Sequence, residues 1–136
     1  MGSKSDYLER AILDHRYGGV DFTRPATVYV ALFTVTPSDA GGGTEVTGGS
    51  YARAAVTNNA TNFPAASGSS PATKSNGTAI SYTTPAGDWG TLVAFGIFDA
   101  LTNGNLLDWG AINPTKTVQS GDPVSFPIGS LTITED

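Results

Sequence analysis

Two apolar runs at residues 92–98 and 106–112 enclose Asp99-Ala-Leu-Thr-Asn-Gly-Asn105, and this unit limits the possible folds more than any other part of the chain. Asn103-Gly104 supplies the two residues that readily adopt positive φ in a tight reversal. The pattern predicts a β-hairpin. A Trp-Gly pair stands in each half, at Trp89-Gly90 and Trp109-Gly110. No nucleophile–base pair or metal-binding cluster comes with it, so the unit reads as architecture.

The remaining composition agrees with a β-rich chain. Only 14% of the 136 residues are charged, and 17 glycines and eight prolines punctuate short apolar stretches. Residues 26–36, ATVYVALFTVT, form the strongest strand signal, apolar on both faces, as befits a strand covered on each side. Weaker strands are expected at 51–57, 78–84, 115–118 and 124–134, with Pro127 and Gly129 marking an edge or bulge in the last. Six to eight strands at this spacing predict one mainly β, antiparallel sandwich or barrel-like domain. Residues 6–17 carry the one helix signal, with Asp6 as N-cap, Glu9 three residues later and Gly18-Gly19 as the stop. This divides the chain into an N-terminal helix or arm, 1–24, and a β-sandwich domain, 25–136. The polar segment 58–77, with Phe63 its one large apolar side chain, is expected to be mobile or an extended arm.

Charge excludes several partners. The net charge of −5 resides wholly beyond residue 24, where Arg53, Lys74 and Lys116 face eight acidic residues. An acidic body without a basic patch argues against nucleic acid and against anionic membranes. No apolar run reaches the ~18–20 residues of a membrane span, and MGSKSDYLER lacks the apolar stretch of a secretory signal.

Chemistry is equally sparse. There is no cysteine and one histidine, His15, so thiolate and multi-histidine metal sites are excluded within one chain. His15 lies near a helix C-terminus, where its charged form is favoured by the dipole, and no nucleophile accompanies it. Asp99 and Asp108 flank the hairpin turn and read as turn residues rather than a glycosidase pair. Gly41-Gly-Gly43 lacks the Gly-Lys-Ser/Thr ending of a phosphate loop. Loop oxygens of Asp39, Glu45 and Asp122 leave a calcium site open, although their spacing matches no EF-hand. No catalytic residue, metal or cofactor is assigned. Trp89 and Trp109 belong to the core or a subunit interface, with a sugar-stacking platform as the alternative.

The order of several short motifs resembles a known group. They are Pro25-Ala-Thr-Val-Tyr-Val-Ala-Leu-Phe-Thr34, Pro37-Ser-Asp-Ala-Gly41, Thr44-Glu-Val-Thr-Gly-Gly-Ser-Tyr-Ala-Arg53, Asp88-Trp-Gly90, Phe95-Gly-Ile-Phe-Asp99, Gly104-Asn-Leu-Leu107 and Ser130-Leu-Thr-Ile-Thr134. In this order they resemble small virion structural proteins of tailed bacteriophages, outside the polar segment 58–77. The resemblance implies a non-enzymatic, multi-copy virion component assembled in the bacterial host. A capsid decoration, or cement, protein that binds the major capsid protein as a homo-oligomer, often a trimer, is the first expectation. A tail or tail-fibre-associated protein contacting a tail protein is the alternative, and a carbohydrate-binding module a remote third. The candidate subunit or capsid contacts are Tyr7, Leu8, Ile12, Phe63, Trp89 and Trp109.

Overall fold

The computed structural model describes residues 2–135; Met1, the first residue of the expected arm, and Asp136 lie outside the described residues. Its strands in chain order are β1 (Gly2–Lys4), β2 (Thr27–Val35), β3 (Thr44–Glu45), β4 (Ala54–Thr57), β5 (Ala72–Ser75), β6 (Ile80–Ser81), β7 (Gly90–Phe98), β8 (Leu106–Val118), β9 (Ser125–Phe126) and β10 (Thr132–Glu135). One helix, α1 (Asp6–Arg16), follows β1. The main sheet has the order β1-β8-β7-β2-β3, with β4 also paired to β2, and its pairings are antiparallel. Two antiparallel ribbons, β5–β10 and β6–β9, complete a sandwich-like, mainly β fold.

The alternation in β2 explains the layering. Val28 and Val30 join Phe95 and Ile97 of β7 in a core with Ile80 and Leu131. Leu32, one step further along the same face, packs with Trp89, Leu92, Val118 and Val124. The intervening residues Ala31 and Phe33 point to the opposite face and meet Ala94 and Phe98. Burial on both faces at mid-strand is what the doubly apolar pattern of β2 demands.

The hairpin forms as its turn chemistry dictates. Asn103 and Gly104 have φ of 53° and 75°. Asp99 closes the turn, its two carboxylate oxygens accepting from the Asn105 backbone N–H at 2.7 Å and the Asn105 side-chain amide at 2.9 Å. The second strand runs further than expected. Residues 106–112 and 115–118, anticipated as separate strands, form the single strand β8, and the ladder shifts register between the Leu92–Lys116 and Ala94–Ala111 pairs. Pro114, which has no N–H to give to a ladder, falls within this shift.

The last expected strand divides in two. A turn at Pro127–Ser130, closed by Ser130 N–H to the Pro127 carbonyl at 3.0 Å, separates β9 from β10. Gly129 occupies it with φ 79°, and its N–H donates to the Asn76 carbonyl at 2.9 Å.

Segment 58–77 lies against the sandwich. Phe63 is buried in the main core, and residues 72–75 pair with β10. Buried Asn76 donates to the carbonyls of Thr78 and Pro127 at 2.9 and 3.0 Å and accepts from Leu131 N–H at 3.0 Å. Lys74 donates to the carbonyl of Pro64 at 2.8 Å. A polar composition is here compatible with order because the side chains satisfy backbone groups of this same chain.

Candidate functional site

The N-terminal segment is anchored at one end and exposed along its length. β1 pairs with β8 through Ser3–Trp109 and Lys4–Asp108, placing α1 at the edge of the main sheet. Ser5 is the N-cap, where Asp6 was expected: its hydroxyl oxygen accepts from Leu8 N–H at 3.2 Å while donating to the Leu106 carbonyl. The double role requires a buried hydroxyl at the sheet, which Ser5 is and Asp6 is not. Leu8 then enters the core and Ile12 packs partly against it. Tyr7 and Leu13 of α1 are exposed, as is Tyr17, the residue that caps its C-terminus.

Beside α1 opens a cleft of about 620 Å³, bordered by Tyr7, Arg10, the glycines 41–43 and the hairpin turn at Gly104. Phe33 and Phe98 line it, their rings stacked at 6.3 Å. Two of its acidic groups, Asp39 and Glu45, are already engaged. Asp39 accepts from the Trp109 indole N–H and the Ser3 hydroxyl, both at 2.9 Å. Glu45 accepts from Arg53 and from the Tyr51 hydroxyl at 2.7 Å. Burial, followed by the hydrogen bond to Glu45, raises the Tyr51 hydroxyl well above its ordinary pKa.

Arg53 ties this region together. Its guanidinium holds Glu45 at 2.8 and 2.9 Å, reaches the carbonyls of Ala100 and Asn103 at 2.9 and 2.8 Å, and lies 3.7 Å over the Phe98 ring. The hairpin turn is thereby fastened to β3. Sequence reasoning missed this residue; the available signal was a lone cation in the apolar run 51–57.

The six candidate contact residues are not gathered on one surface. Tyr7 is exposed at the cleft, and Ile12 is half-buried. Leu8, Phe63 and Trp89 are buried within the chain. Trp89 also gives its indole N–H to the Gly49 carbonyl at 2.9 Å and makes T-shaped ring contacts with Tyr51 and Tyr82, and its burial leaves no open platform for a sugar. Trp109 is partly buried and held by Asp39.

The titratable groups considered for chemistry have local roles. His15 Nδ1 accepts from Phe22 N–H at 3.1 Å, and Asp122 accepts from Gln119 N–H at 2.9 Å. Among the described residues, no group of three or more His, Cys, Asp or Glu is placed to hold a metal ion, and no helix is long and apolar enough to cross a membrane. Asp108 does not serve the turn. It lies on the core side of the sheet, paired in register with Ile97, and its Oδ1 is buried without a hydrogen-bond partner. Burial first, then the nearby Glu135, pushes its carboxyl up to about 7 against the opposing effect of Lys4.

The model of the family described as "Podophage GP4 fiber I protein gp80" matches residues 3–134 of the chain. No curated protein matches it. With nearly its whole length covered, the chain belongs to that family, and it is a small β-rich phage structural protein located in the virion.

Proposed function

We propose, from membership of this fibre family, that the chain is a non-enzymatic, multi-copy component of the phage tail fibre. Its contacts with other virion proteins are made through the outward face of α1 and the adjoining cleft. The observation that carries this reading is the family match over residues 3–134. It gives the tail-fibre alternative precedence over the capsid-decorating role expected first. The local geometry supports a docking role: Tyr7 is the exposed member of the six candidate contacts, at the mouth of a cleft with an aromatic lining. The nearby carboxylates Asp39, Glu45 and Asp99 are committed to hydrogen bonds that hold loops in place.

Separated phage heads and tails distinguish the two roles. Labelled full-length protein should co-sediment with tails lacking their own copy of it, and Tyr7→Ala should weaken that binding by about tenfold, as expected for an aromatic contact residue. Sedimentation with heads in place of tails would assign the protein to the shell and overturn the reading.

A further inference from the structure

The first and last strands of the chain meet over Asp108. This residue stands directly opposite Lys4 in the β1–β8 ladder, so the two side chains share one face of the sheet. Lys4 Nζ is ion-paired with Glu135 of β10, which ties the last strand to the first. One ammonium group thus stands near two carboxylates, and the ion pair goes to the outer one. The Glu135 side chain is 53% exposed, whereas Asp108 Oδ1 is buried without a hydrogen-bond partner.

The other charged groups nearby are committed elsewhere. Arg24 and Lys74 line the same cavity as Asp108. Arg24 donates to the Asn58 carbonyl at 3.3 Å, and Lys74 to the carbonyls of Phe63 and Pro64 at 3.3 and 2.8 Å. On β7 the register partner is Ile97, and α1 contributes Leu8 to the cavity. A carboxylate with a buried, unsatisfied oxygen is costly when ionised and tolerated when protonated. Its cover is also the weakest part of the sheet. β1 is an edge strand of three residues, continued by Ser5, whose N–H donates to the Leu107 carbonyl at 2.8 Å and whose hydroxyl oxygen caps Leu8 N–H. Local openings draw on such elements before central ladders such as β2–β7.

We propose that Lys4, Asp108 and Glu135 form a proton-operated clasp. With Asp108 neutral, β1 and the start of α1 stay on the sheet; its ionisation favours their release as a unit while β2 and β7 remain paired. The clasp goes beyond the fibre reading and is independent of it, because every group in it belongs to this chain. Its direction follows from linkage. Burial is the first cause that lifts the Asp108 carboxyl from 3.8 to about 7, and release returns it to water. From about pH 4 to about 7 the open form has lost a proton that the closed form keeps, so opening increases about tenfold per pH unit. Above this range both forms are ionised and the increase stops. The whole span is about a thousandfold.

Native-state hydrogen exchange of the full-length protein, read at the Ser5 and Leu8 amides between about pH 5 and 8.5, tests the clasp. Protection factors at these amides should fall about tenfold per pH unit up to about 7 and then level off. They should remain below those of the β2–β7 ladder throughout. Asp108→Asn, which has no proton to lose, should make the same amides indifferent to pH. Glu135→Gln removes the competing carboxylate and leaves Lys4 to Asp108, so the levelling should move to lower pH. This second variant alters an exposed side chain, and circular dichroism at each pH confirms that both variants are folded. Protection at Ser5 and Leu8 that ignores pH in the parent protein, that equals β2–β7 protection at every pH, or that follows the same profile in folded Asp108→Asn would each overturn the proposal. An unmoved profile in Glu135→Gln would remove Glu135 from the clasp and overturn it as stated.

Discussion

Arg53 and Glu45 meet through two parallel hydrogen bonds of 2.8 and 2.9 Å, with the arginine side chain 6% and the glutamate 24% exposed. Between them they join the residue that precedes β4 to β3, just beyond the glycine loop that borders the cleft. The same guanidinium also satisfies two carbonyls of the hairpin turn. Arg53→Ala leaves a shielded carboxylate and those carbonyls without their partner, and should cost about 3 kcal/mol. Lysine cannot reproduce the planar fork, so Arg53→Lys should recover only part of the loss. Chemical denaturation of the three proteins measures both effects.

Asp108 gives the fold a specific pH dependence. Its native carboxyl titrates at about 7 against an ordinary value of 3.8, with Lys4 on β1 and Glu135 on β10 as the charged groups facing it. Between these values the native state retains a proton that the unfolded chain has released. The contribution is therefore fully present below about pH 4 and is lost as pH rises through 7. Asp108→Asn should flatten this part of the stability profile and raise the denaturation midpoint at pH 8. Equal slopes in the two proteins would show that another group is responsible.

The two tryptophans should separate by their consequences. Trp89 is 4% exposed in the core, and Trp89→Ala should destabilise by about 4 kcal/mol through the cavity it leaves. Trp109→Phe removes mainly the hydrogen bond to Asp39 and should cost about 1 kcal/mol. Thermal unfolding followed by far-ultraviolet circular dichroism resolves the difference.

Ser5 fastens α1 to the sheet. Ser5→Ala removes both the cap on Leu8 N–H and the donor to the Leu106 carbonyl. It should cost about 1–2 kcal/mol. Hydrogen exchange should accelerate most in the first turn of α1, with the β2–β7 ladder much less affected.

The parts of this fold readable in sequence are those specified locally. Alternation in β2 and the Asn103-Gly104 turn state their conformations within a few residues. What escaped depends on distant partners. Asn76 bonds across to Pro127 and Leu131, and these bonds help give the polar segment its shape. Ser5 displaces Asp6 as the cap because of Leu106, which the neighbouring sequence does not reveal. Residues 106–112 and 115–118 read as separate strands, but the ladder resumes beyond a register shift. At the candidate site, Tyr7, one of the candidate contacts named from the sequence, is exposed. Selecting large apolar residues also pointed to Leu8, Phe63 and Trp89, which pack within this chain because their burial depends on distant partners.

Imaging intact virions with a gold-labelled antibody against this chain tests its assignment to the fibre most directly. Gold confined to the tail fibres, with the head surface bare, is the predicted result. Gold distributed over the head shell would contradict it.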